Sequence, residues 1–237
     1  MKRLFIAKDN LKILVQNLKK TCDEFIAPKK EFLDDIIFGD TRDSNSELLE
    51  YHGNSVISPR AFLLPQTEVL FEIKSAKDCQ FQPIEDKKER IFYGVRACDI
   101  KALVMMRKFF LDDFRDEFYQ RKIERSIFIA LTCVKPCSQV CFCYEIGAGP
   151  GAQEGFDLQL TPIDRGYLVE VGSKKGGSII KKHKKLFVQA RPLQEKEAQA
   201  ILKDFSQNKK RIDYKKLAKI MKEDKVKQEI WDDIGLR

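Results

Sequence analysis

The sequence is short of histidine and tryptophan, and it has no long apolar run. Of its 237 residues two are His and one is Trp. His52 sits beside Gly53 in a turn-like stretch, and His183 lies between lysines. Neither belongs to a Ser-His-Asp or Cys-His set, which removes the common nucleophilic hydrolases. Two isolated histidines also make no histidine-rich metal site. No apolar stretch approaches the roughly 20 residues that a bilayer span needs. The opening MKRLFIAKDNLKILVQ lacks the continuous apolar core and small-residue cleavage site of a secretory leader. These absences predict a mature cytoplasmic protein with reduced thiols and no membrane partner. No internal repeat or low-complexity tract stands out.

What is present is cysteine, placed unevenly. Five of the seven cysteines fall between residues 98 and 143: Cys98 in GVRACDI, then Cys133, Cys137, Cys141 and Cys143 in LTCVKPCSQVCFC. At that density in a reducing compartment, thiols read as metal ligands rather than disulfides. Cys22 and Cys79 stand apart and read as structural or incidental thiols. The chain is 43% hydrophobic and 34% charged, enough apolar material for one real core. Its net charge of +8 is concentrated, because residues 174–215 carry 13 Lys or Arg against four Asp or Glu. Arg is scarce there and no nucleic-acid motif accompanies it. The segment reads as a solvated lysine-rich face or a docking face for an acidic partner, not a nucleic-acid site.

Periodicity organises the rest. Residues 8–25 have helical spacing, with Leu11, Leu14, Val15, Leu18 and Phe25 on one side. Residues 26–57 read as a strand or two with a loop, and 58–73 as a loop turned at Pro65 before a short strand. RIFYGVRACDI is an apolar strand that stops at Gly94, and a helix follows Cys98 and Asp99. SIFIALTC is a second apolar strand, ending at Cys133. If the two strands are parallel neighbours joined by that helix, both cysteines arrive at one sheet end, where α/β sheets build their sites. FDLQLTPIDRGYLVEVG reads as an appended hairpin with an Asp-Arg-Gly turn. Amphipathic helices over 194–206 and 212–223 and a short one in QEIWDDIG follow. The whole is an α/β fold: a mixed, partly parallel sheet with flanking helices, a β-hairpin and a helical C-terminal segment.

The spacing within the cysteine group points to metal without choosing one. Cys133-x3-Cys137 and Cys137-x3-Cys141 approach the paired spacing of zinc sites, whereas Cys141-x-Cys143 is tight for chelating one ion. A cubane cluster binds each sulfur to a different iron and tolerates close spacing. Cys98, Cys133, Cys141 and Cys143 form the candidate set, with Cys137 a fifth. GAGPG lacks a following Lys-Ser/Thr and precedes a strand, so it is not a phosphate loop. It reads as a loop wrapping closely over the metal site. Arg96 and Asp99 flank Cys98, where they either tune a centre or serve as capping and pairing groups.

Taken in order, SPRAFLLPQTEVLF, GVRACDIKAL, LTCVKPCSQVCFC, GAGPGAQEGFDLQLT and GYLVEVG resemble one family. It is the iron–sulfur electron-transfer (beta) subunit of soluble sulfhydrogenases, whose counterpart is also found in anaerobic sulfite reductase. The resemblance covers roughly residues 1–235. It implies a non-catalytic subunit that relays electrons between two partners, one a flavin-containing reductase subunit, the other a catalytic hydrogenase or sulfite reductase subunit. It also implies a 4Fe–4S cluster whose ligands fall on Cys98, Cys133, Cys141 and Cys143. Family members continue into a ferredoxin-like region with two further clusters, and this chain has no cysteine after Cys143. The resulting expectation is an α/β unit over 1–190 and a helical segment over 191–237 leading toward a module not in this chain. From another class, a structural zinc-binding or metal-free interaction module of a redox complex fits the same residues.

Overall fold

The computed structural model describes residues 3–31, 35–43, 55–75, 80–139, 141–206, 213–222, 231–232 and 235. In chain order its elements are β1 (Arg3–Ala7), α1 (Lys8–Lys19), β2 (Glu24–Lys30), β3 (Ile36–Asp40), β4 (Phe71–Ser75) and β5 (Gln80–Pro83). Then come β6 (Arg90–Arg96), α2 (Ala97–Leu111), α3 (Glu117–Glu124), β7 (Ser126–Leu131), β8 (Leu158–Ile163) and β9 (Gly166–Val171). The last are α4 (Lys174–Lys182), β10 (Val188–Gln189), α5 (Pro192–Ser206) and α6 (Tyr214–Lys222).

The near-continuous apolar runs of β6 and β7 suit strands buried on both faces, and these two lie at the centre of an eight-stranded sheet. Its order is β10-β1-β9-β8-β7-β6-β2-β3. The four central strands β2, β6, β7 and β8 run parallel. The flanks are antiparallel, β3 on β2 at one side and β9, β1 and β10 on the other. β4 and β5 form a separate two-stranded ribbon.

Alternation along the central strands divides the apolar side chains into two cores. Ile91, Tyr93, Ile129 and Leu131 pack with Leu11, Leu14, Val15 and Leu18 of α1 and Ile179 of α4. Phe92, Phe128 and Ala130 face the other way, against Ile100 and Leu103 of α2 and Tyr119 and Ile123 of α3. Each of these large side chains contributes about 1.5–3 kcal/mol when fully buried. Ala198 and Ile201 of α5 pack with Phe5, Ile163 and Leu168, farther along the α2–α3 side of the sheet.

Several boundaries differ from the sequence reading. α1 ends at Lys19, and Phe25 instead lies on β2, fully buried and paired with Ile91. Thr21 closes the helix, its N–H and its hydroxyl both donating to the Leu18 carbonyl. β6 does not stop at Gly94. The strand runs on to Arg96 through a bulge, where Gly94 has φ of 73° and the register against β7 shifts. The extra residue inverts the alternation, so Val95 joins Phe92 in the α2–α3 core. The hairpin β8–β9 is not appended, because β8 pairs in parallel with β7 and completes the central sheet. His52, Cys79 and most of the short helix in QEIWDDIG lie outside the described residues.

Candidate metal centre

β6 passes into α2 without a loop. Arg96 is still extended, at φ −77° and ψ 159°, and Ala97 opens the helix. Cys98 is therefore the second residue of α2 rather than a residue of a preceding turn. No side chain caps this helix end. The helix start carries partial positive charge, and the Asp99 N–H donates to the Cys98 sulfur.

β7 ends at Leu131, two residues before Cys133. The intervening Thr132 is buried, its N–H donating to the Leu160 carbonyl at 2.9 Å and its hydroxyl bonding that of Thr161. Because β6 and β7 are parallel neighbours, Cys98 and Cys133 leave the sheet side by side. Beyond Cys133 the chain turns tightly. The Cys141 N–H donates to the Ser138 carbonyl at 3.2 Å, and the Ala148 N–H to the Cys143 carbonyl at 2.8 Å.

The glycine loop then closes over the sulfurs. A Cβ on Gly149 would stand 3.3 Å from the Cβ of Cys143, so a side chain there would crowd that cysteine. Pro150 accepts from the Cys133 N–H at 3.1 Å. The loop is held from beneath by Gln159, whose Oε1 accepts from the Ala152 N–H at 2.7 Å. Gln159 Nε2 donates to Glu170, which pairs with Arg3 at 3.5 Å, and Arg3 pairs with Glu195 of α5 at 3.1 Å.

All five cysteines of the group line one recess, together with Arg96, Lys135 and the loop backbone at 148–150. The four cysteines of the candidate set are thus brought together, and Cys137 joins them. Their sulfurs interact in a chain. The hydrogen bond from Cys143 holds Cys98 below the ordinary thiol value, and the same bond, with burial, raises Cys143. Burial pushes Cys133 up to about 12, with Cys98 adding to the rise. Burial raises Cys137. Burial acts on Cys141 in the same sense but is outweighed by hydrogen bonds from the backbone and from its two neighbouring thiols. Cys22 is unlike these. It packs against the α1 core, and burial pushes its thiol up to about 11.

The sequence reading missed Phe205, which comes from α5 and forms part of the recess wall. The stripe Ala198, Ile201, Phe205 marks an apolar helix face, but only the fold tells which wall it meets. His183 ends α4, partly exposed among its lysine neighbours.

A curated protein from Pyrococcus furiosus, sulfhydrogenase 2 subunit beta, is 25% identical over 144 residues. This chain is similar to a sulfhydrogenase subunit. The match covers 61% of this chain and 41% of the relative, so the chain spans well under two thirds of the relative's length. No family model matches.

Among the described residues, no group of three or more His, Cys, Asp or Glu side chains is arranged to hold a metal ion. The fit to a soft centre rests on the donor set. Five thiols line one recess which, among the described residues, has no histidine and no carboxylate in its lining, and that is the chemistry of zinc, copper(I) or iron–sulfur and not of hard cations. The buried Arg96 cation and the α2 terminus would offset the charge of sulfurs deprotonated by a bound metal. No helix among the described residues is long and apolar enough to cross a membrane.

Proposed function

We propose that this chain is an electron-transfer subunit of a cytoplasmic redox complex of the sulfhydrogenase or sulfite reductase type. In this reading Cys98, Cys133, Cys141 and Cys143 hold a 4Fe–4S cluster, and Cys137 is a fifth thiol that the cluster does not need. The observation that carries the reading is the convergence of thiols from the ends of two adjacent parallel strands on one glycine-covered recess. The similarity to a sulfhydrogenase beta subunit supports the same class.

When bound, such a cluster supplies a reversible one-electron couple. The protein's part is positional. The α2 end and Arg96 compensate the sulfur charge, Thr132 and Thr161 fix the exit from β7, and the loop at 148–150 packs against Cys133 and Cys143. A flavin-containing reductase subunit on one side and a catalytic hydrogenase or sulfite reductase subunit on the other are the partners of this role. Residues 1–190 form the unit that carries the cluster, and of the helical segment 191–237 α5 packs back on that unit and adds Phe205 to the recess wall.

The test is the iron, acid-labile sulfide and zinc content of anaerobically purified protein, with an EPR spectrum after dithionite. About four irons and four sulfides per chain with a reduced-cluster signal are expected. One zinc and no sulfide would replace the reading with a structural zinc module.

A further inference from the structure

Two cations line the cysteine recess, and they differ in depth. Lys135 stands on the exposed loop. Arg96, the last residue of β6, is 6% exposed. Its Nε lies 3.6 Å from Asp99 Oδ2, one turn into α2. Arg96 also lines the recess beside Cys98, Cys133 and Cys137. A buried cation is tolerated only where opposite charge compensates it. Asp99 supplies one counter-charge here, and thiolates holding a centre in the recess would supply more, so Arg96 is placed to serve the sulfurs as well as its ion pair.

We propose that Arg96 sets the reduction potential of the sulfur-held centre, with Asp99 as the opposing counter-charge. The inference rests on the cluster reading above. Reduction adds one electron to the buried centre, with no bond made or broken, and makes it more negative. A fixed positive charge beside it stabilises the reduced form and raises the potential, and a fixed negative charge does the reverse. Lys135 carries the same sign, but solvent and salt screen its charge. Arg96 is thus a positioning residue that acts through its field.

The experiment is an EPR-monitored redox titration of the anaerobic full chain, alongside iron and sulfide content, for the parent protein, Arg96→Gln, Arg96→Lys, Asp99→Asn and Lys135→Gln. Arg96→Gln is expected to lower the potential until the reduced-to-oxidised ratio at a fixed ambient potential falls about tenfold, which is 59 mV for one electron. Asp99→Asn shifts it upward, Arg96→Lys stays near the parent, and Lys135→Gln moves it least. A merely structural role for the pair would not give opposite signs. If Arg96→Gln does not hold iron, Asp99→Asn and Arg96→Lys carry the test. Retained iron with an unmoved Asp99→Asn potential, or with Arg96→Gln and Asp99→Asn shifted the same way, overturns the proposal. A parent protein without iron and sulfide overturns the cluster reading instead.

Discussion

Two strand-to-helix junctions in this molecule are built alike and serve different ends. β1 runs into α1 at Ala7 and β6 runs into α2 at Arg96, each without a loop or a side-chain cap and each with an aspartate in the first turn. They begin at the same end of the sheet, because β1 and β6 point the same way. At the first, the Lys8 N–H donates to the Arg165 carbonyl in the β8–β9 turn, and α1 buries Leu11, Leu14, Val15 and Leu18. At the second, the helix start faces the cysteine loop, and the longer α2 buries only Ala97, Ile100 and Leu103. A bare helix end is therefore not a site by itself. What lies across from it decides: a hairpin turn makes a structural joint, and a group of thiols makes a candidate centre.

The largest effect should separate the two junctions outright. Cys98→Ser is expected to abolish most bound iron, whereas Cys22→Ser, at the far end of α1, leaves iron unchanged. Equal iron in both variants would remove Cys98 from the ligand set. Cys137→Ser, inside the recess, is expected to keep the cluster, and loss of iron there would replace one of the four ligands with Cys137.

Stability should divide the other way. Leu14→Ala in the α1 core is expected to cost about 2–5 kcal/mol in urea unfolding. Met105→Ala on α2, at an exposed position, should stay within about 0.5 kcal/mol. Comparable losses would mean that α2 is as deeply anchored as α1.

A smaller effect tests the bulge that delivers the second junction. Gly94→Ala must accept φ of 73° and place its Cβ 3.2 Å from Pro28 Cδ, and a cost of about 1–2 kcal/mol is expected from the left-handed backbone. No change in denaturation midpoint would show that the bulge relaxes without cost.

The smallest effect is a pH difference at the end of α1. Burial raises the folded Cys22 thiol from its ordinary value of 9.0 to about 11, so folding favours its protonated form. That contribution is fully present below about pH 9 and is lost as pH rises toward 11. Cys22→Ala should therefore lose less stability than the parent between pH 9 and 11, and identical slopes would contradict the assignment.

The sequence carried the parts of this architecture that depend on period and on punctuation. The runs RIFYGVR and SIFIAL, separated by a helical stretch, placed cysteines beyond both strands and brought them together on the condition of parallel pairing, which the register supplies. The Asp164-Arg165 turn announced the β8–β9 hairpin. Phe25 was misplaced because its spacing continues the helical stripe of α1, while its burial comes from a strand pairing 66 positions away, with Ile91. Gly94 looked like a strand end because glycine marks both ends and bulges, and only the register against β7 separates the two. Phe205 was out of reach for a related reason. Helical spacing tells which side of α5 is apolar, but not that this side closes a recess made by residues 98–150.

That last contact has a consequence in time as well as in space. Phe205 follows Cys143 by 62 positions (205 minus 143), so the cysteines are synthesised well before the wall that α5 supplies. At roughly 5–20 residues per second, the recess stands open on that side for about 3–12 seconds of synthesis. Whatever the sulfurs bind has that interval to arrive before the last wall of the recess has been made.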